Sequence, residues 1–281
     1  MKKIVNSFNE ERTFGVEIEF VHNNAEQVAA KVREYGLDCR VEHYNHEDRT
    51  WWKIVTDASV QPRNGQIGRG LEIVSPILKG REGLAEVETV CAALEQAGAD
   101  VNITAGLHVH HDASDFNVNS FKNITLLYTR YEKTIDSLMP RSRRANGNQY
   151  CKSLFDARMG SFSSDEAFMN WIYNASSTDQ LLNFFTDRFL KLNLRAYRAH
   201  STVEFRQHSG TAEAPKIINW IKLTQAMVNK ATDRNVLNPK NVDDSWKSFK
   251  KAVALTGYRG ADEELQQVQK FYGKRRKQLA S

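Results

Sequence analysis

The spacing of hydrophobic residues changes period along the chain, and each change predicts an element. Thr13–Val21, T-F-G-V-E-I-E-F-V, alternates strictly and predicts a strand. Phe14, Val16, Ile18 and Phe20 fall on one face, Glu17 and Glu19 on the other. The same alternation returns three times. Leu71–Pro76 sets Leu71 and Ile73 against Glu72, and Gly106–Asp112 sets Leu107 and Val109 against His108 and His110. Thr202–His208 sets Val203 and Phe205 against Glu204, Arg206 and His208. Cys39–Tyr44 and Thr50–Thr56 read as a further pair of strands joined by the polar turn N-H-E-D. Val101–Ile103 and Lys191–Arg195 are short candidates.

Helical spacing fills most of the remainder. Ala25–Tyr35 turns Val28, Val32 and Tyr35 inward and is closed by Gly36, while Arg81–Ala97 carries a Leu84, Val87, Cys91 and Leu94 stripe. Phe121–Met139 runs up to Pro140, and Ser163–Tyr173 opens on the capping box S-S-D-E. Pro215 starts a helix over Lys216–Lys230. Beyond Thr232 two more polar helices are expected, Ser245–Leu255 and Asp262–Tyr272, so the chain divides into a domain over residues 1–232 and a basic helical extension over 233–281.

Composition narrows the classes. At 281 residues, with 41% hydrophobic and 26% charged, the chain suits a soluble domain with one large core. No run approaches the roughly 18 apolar residues of a membrane span. Three cysteines without a C-x-x-C pair argue against a disulfide scaffold or zinc ribbon and fit a reducing cytoplasm, and no apolar stretch follows the first lysines as a secretory leader requires. A net charge of +5 suits a phosphate-bearing small molecule or weak nucleic-acid contact. The glycine-rich loop with Gly65, Gly68 and Gly70 follows no phosphate-binding motif. Arg141, Arg143 and Arg144 form either a solvated face or an anion site, since guanidinium forks match phosphate oxygens. The G-K-R-R-K-Q tail fits a solvated helix end better than a nucleic-acid contact.

Four strands thus share one design, with Glu17, Glu19, Glu72, His108, His110, Glu204 and Arg206 opposite their apolar faces. A solvated sheet face would mix in lysine, threonine and serine. Carboxylates with one or two imidazoles suit magnesium or manganese rather than structural zinc. F-G-V-E-I-E-F, L-E-I-V-S-P-I-L, G-L-H-V-H, P-R-S-R-R-A-N-G-N-Q-Y-C and T-V-E-F-R-Q-H-S-G-T, running from about Arg12 to Thr211, resemble the amidoligase family, which belongs with the carboxylate–amine ligases of the glutamine synthetase and glutamate–cysteine ligase superfamily.

The resemblance implies an α+β fold in which a curved, mainly antiparallel sheet forms a half-barrel with helices on its outer face. It implies ATP as co-substrate, transfer of the γ-phosphate to a small-molecule or peptide carboxylate, and attack of an amine on the acyl phosphate. Glu19 and Glu72 would hold one metal ion, and Glu17, His108 and Glu204 a second. Arg206 would grip the γ-phosphate and act with Glu204 in catalysis, with His110, Arg143 and Arg144 as further phosphate donors. The superfamily places one more carboxylate shortly before the position of Glu72; residues 61–70 contain none, and Asp57 is the nearest candidate. Two other readings stay open. One is an ATP-independent metal hydrolase built on His108 and His110, although the chain lacks the regular β-α alternation of a parallel barrel. The other is a nucleic-acid or assembly protein using the basic loop and tail, against which the acidic strand faces speak.

Overall fold

Alternating and helical segments become elements close to where the pattern predicts them. The structure is a computed structural model that describes residues 7–45, 47–63, 65–158, 160–232, 235–240, 243–255 and 262–280. His46 of the expected turn, Asn64 of the glycine-rich loop and residues 233–234 at the expected domain boundary lie outside the described residues. In chain order the elements are β1 (Phe14–His22), α1 (Ala25–Glu34), β2 (Cys39–Val41), β3 (Trp52–Thr56), β4 (Arg69–Val74), α2 (Gly80–Gln96), β5 (Gly106–Asp112) and α3 (Val118–Asp136). They continue with α4 (Asp165–Asn174), α5 (Thr178–Phe184), β6 (Leu192–Asn193), α6 (Ala196–His200), β7 (Thr202–Ser209), α7 (Ala214–Ala231), α8 (Trp246–Ala252) and α9 (Glu263–Gln278). The seven strands follow the order β2-β3-β4-β1-β5-β7-β6 in a mostly antiparallel sheet that does not close, so the fold is α+β. Among the described residues no helix is long and apolar enough to cross a membrane.

The chain divides into two compact units, one from residues 10–110 and 208–221, the other from residues 1–9, 111–207 and 222–281. In the first, β1 and β3 flank β4 in antiparallel register, and Ile54, Ile73 and Ile18 align across the three strands, all fully buried. Each contributes roughly 2 kcal/mol by leaving water. On this side α1 packs on α2, β2 and β3 through Val28, Ala29 and Val32, and Trp52 Nε1 donates to Glu86 of α2 at 3.0 Å. Burial pushes the Cys39 and Cys91 thiols up to about 12, as packing groups.

Two short strands differ from the pattern. β2 and β3 pair in parallel, so they are joined by a connection and not by a tight turn; residues 42–45 and 47–51 of it are described. Glu42 folds that connection by accepting from Arg49 Nε, Trp51 Nε1 and Asn45 Nδ2, which hold its carboxyl down at about 2. Residues 101–103 are not a strand, because Asn102 Oδ1 caps Thr104 N at 2.8 Å and turns the chain.

The second unit is built around α3, which packs on α4, α5 and α8. Asn117 starts it by accepting from the amides of Asn119 and Ser120 in a full capping box. Beside α4 and α5, Phe162, Phe168, Trp171, Phe184 and Phe185 form an aromatic cluster with centroids 4.4–6.0 Å apart. β6 is shorter than the pattern suggests because Asn193 spends its side chain on Arg195 N and Glu204. The described residues expected as an extension are part of this unit: Arg275 of α9 donates to Leu138 O at 3.0 Å, and Lys222 of α7 pairs with Glu264 at 2.5 Å.

An ion triad ties this unit together. Lys191, 0% exposed, donates to Glu132 at 2.9 Å and Asp136 at 2.7 Å. Glu132 also accepts from Leu154 N and Asp136 from Ala145 N, and Gln207 bridges Asp136 and Tyr128. Burial lowers the Lys191 pKa, but the two carboxylates outweigh it and raise it. The triad's stabilisation is therefore full below the ordinary lysine pKa and lost as pH rises through the raised one. Lys191→Met is expected to destabilise the chain by roughly 3–5 kcal/mol, because it strands the buried Glu132 carboxylate and the largely covered Asp136. Urea unfolding at neutral pH measures this, and a loss below 1 kcal/mol would mean that the triad does not hold the unit.

Candidate functional site

The β1–β4 register creates an electrostatic conflict. Glu19 lies directly opposite Glu72, and Glu17 opposite Val74. Opposed residues share a face, and like charges placed so are destabilising. Glu19 and Glu72 are only 4% and 8% exposed, so water screens them little. Part of the charge is met by this unit: Gly106 N donates to Glu19 Oε2 at 2.6 Å. From β5, His108 Nδ1 lies 2.8 Å from Glu17 Oε2 and its Nε2 3.3 Å from Glu19 Oε1, while His110 Nε2 lies 3.4 Å from Glu17 Oε1. Burial pushes the Glu17 carboxyl up, yet hydrogen bonds and charge from the two histidines hold it well below the usual carboxylate range.

Asp57 joins from the turn after β3. Its Oδ1 accepts from Ser59 N and Ser59 Oγ, both at 2.7 Å, and its main-chain N donates to Gly70 O. Ligand atoms of Glu19, Asp57 and Glu72 lie within 4.8 Å of one another, as do those of Glu17, Glu72 and His108. Two neighbouring groups of hard oxygen donors, one with an imidazole, share Glu72. This donor set fits magnesium or manganese.

The other predicted residues belong to the second unit, where each has a defined setting. Glu204 accepts from Asn193 Nδ2 at 2.6 Å and Arg206 Nη1 at 2.5 Å. Arg143, in the 3-10 turn Arg141–Arg143, is buried, and Gln207 donates to its carbonyl. Burial pushes the Cys151 thiol up against the pull of Arg143, Lys191 and Arg206. Arg144 donates to two main-chain carbonyls, Met139 O at 2.8 Å and Leu279 O at 3.1 Å. The pattern passed over His111, which lies on the apolar side of β5, fully buried, with Nε2 2.7 Å from Thr224 Oγ1. It also passed over Lys53. The only sequence signal there was a lysine inside an otherwise apolar strand.

Residues 10–228 match the model of the family described as "Putative amidoligase enzyme". The chain belongs to this amidoligase family. The matched span includes every residue from Glu17 to Arg206 named above and stops before α8 and α9. No curated protein matches the chain. Amidoligase membership supports a ligase-type enzyme in general terms.

Gly70 decides where Asp57 can lie. A Cβ there would sit 2.2 Å from both Asp57 O and Val60 O, and neither main-chain oxygen can rotate away. Gly70→Ala is expected to cost roughly 2 kcal/mol or more and to displace the Asp57 turn. Gly98→Ala, with nothing near its Cβ but φ +76°, should cost only about 1–2 kcal/mol. Urea midpoints of the two variants compare the costs; equal losses would show that the turn moves freely.

Proposed function

We propose that this amidoligase joins a carboxylate to an amine at the expense of ATP. The observation that carries the reading is the Glu19–Glu72 opposition, with Asp57 on one side and Glu17 and His108 on the other. Buried carboxylates so placed are suited to Mg2+ or Mn2+, with Glu19, Glu72 and Asp57 as ligands of one ion and Glu17 and His108 among those of a second. Bound there, the ions would neutralise polyphosphate charge. His108 and His110 keep Glu17 ionised, and Gly106 N orients Glu19. Glu204 and Arg206 keep the roles that the resemblance implies, Arg206 being assigned to the γ-phosphate, with Arg143, Arg144 and His110 as further phosphate donors.

The substrate carboxylate attacks the γ-phosphorus, forming an acyl phosphate and releasing ADP. The amine then attacks the acyl carbon, loses a proton and expels phosphate, leaving an amide. Such chemistry needs positioning and charge stabilisation rather than a covalent nucleophile from the protein. The reaction would take place in the cytoplasm.

Screening carboxylates and amines for ADP and phosphate release with Mg2+ and ATP tests the function directly. An ATP analogue with Mg2+ at a hundred times its Kd should stabilise the chain by about 2.7 kcal/mol, whereas an ATP-independent hydrolase would show no shift. Glu72→Gln should abolish turnover while raising the metal-free Tm, because it removes one of two opposed charges. Turnover near the wild-type rate would discard the metal assignment. Arg206→Lys should slow single-turnover phosphate release by roughly ten- to a thousand-fold with little change in the calorimetric Kd for ATP. Weakened ATP binding with normal turnover at saturation would make Arg206 a simple binding residue.

A further inference from the structure

The carboxylate face of the first unit continues past the metal-type donors to an edge of different character. The register aligns Glu17 with Val74, Val74 with Lys53, and Lys53 with Arg40 across β1, β4, β3 and β2. These four therefore share a face. Trp52 points the other way, to Glu86 of α2, which leaves its neighbour Trp51 on the side of Lys53 and Arg40. At strand spacings of about 4.8 Å, Lys53 lies roughly 10 Å from Glu17 and Arg40 roughly 14 Å.

This edge is rigidly built. Lys53, 4% exposed, sends its ammonium to Asn45 Oδ1 at 2.9 Å, Glu47 O at 2.7 Å and Asn45 O at 3.3 Å. These bonds hold Asn45 and Glu47 at the Lys53 ammonium. Trp51 is fixed through Nε1 to Glu42 at 2.8 Å, and the Arg40 guanidinium lies 3.7 Å from its ring centroid. Arg40 is oriented in turn by Asp38 at 2.7 Å, yet its side chain stays 52% exposed. A returning connection pinned by a buried lysine and carrying a guanidinium–indole stack is more than a strand link requires.

We infer that the Arg40–Trp51 stack receives the base of the nucleotide whose phosphates lie at the carboxylate cluster. The inference rests on the ATP reading above. A nucleoside triphosphate has a metal-seeking polyphosphate at one end and a flat aromatic base at the other, matching the two ends of this row. Indole and guanidinium planes both offer the sequence-tolerant stacking that bases use. Lys53 is then a positioning residue that keeps the platform in line with the metal ligands.

Calorimetry on the full chain with Mg2+ present tests this with two probes, ATP and inorganic tripolyphosphate, which lacks base and ribose. Arg40→Ala, at a half-exposed position, and Trp51→Leu are each expected to weaken ATP roughly ten-fold while leaving tripolyphosphate unchanged. Unchanged ATP affinity in both variants would overturn the inference. Equal losses for both probes would also overturn it, placing Arg40 at the phosphates. A wild-type chain that binds neither probe would remove the ATP reading itself and this inference with it.

Discussion

Two carboxylates buried face to face, Glu19 on β1 and Glu72 on β4, set the terms for the first unit. A buried ion costs several kcal/mol unless its charge is met. The unit answers with directed groups: the Gly106 amide on Glu19, and His108 reaching both Glu17 and Glu19. The opposite face of the same strands supplies compensation. The Ile18, Ile73 and Ile54 row, at roughly 2 kcal/mol each, fastens the strands that hold the charges together. One face thus stores electrostatic strain while the other prevents the strands from relaxing it.

Much of this was legible in the sequence. Alternation located β1, β4, β5 and β7 within about two residues, because a strand with one apolar and one chemically specialised face leaves a period of two. It brought Glu17, Glu19, Glu72 and His108 to one face, and Asp57 reaches them through the turn fixed by Gly70. The parallel β2–β3 pairing was illegible because it depends on Glu42 and Lys53 folding the connection, which are contacts between residues rather than a pattern. Lys53 resembles a solvent-facing strand residue until register shows which face it shares. His111 breaks the alternation of its own motif, and its bond to Thr224 and its edge-on contact with the Phe205 ring account for it. α5 and α6 are too short to display a helical period.

The second unit solves the burial of charge differently. Lys191 meets Glu132 and Asp136 directly, and the two carboxylates pass their remaining acceptor capacity to Leu154 N and Ala145 N. One buried cation thereby fastens both ends of the segment from Ala145 to Leu154, which carries Cys151. Of the arginines that the sequence leaves as a solvated face or an anion site, Arg143 is buried and Arg144 donates to main-chain carbonyls, while Arg141 is exposed.

The bonds of this second unit also impose an order on its making. Asn9 exchanges hydrogen bonds with Gln225, and Arg144 donates to Leu279. During synthesis the earliest described residues must therefore wait for α7, and the arginine turn for the last turn of α9. β1, β3 and β4, by contrast, pair with one another within the span from Phe14 to Val74.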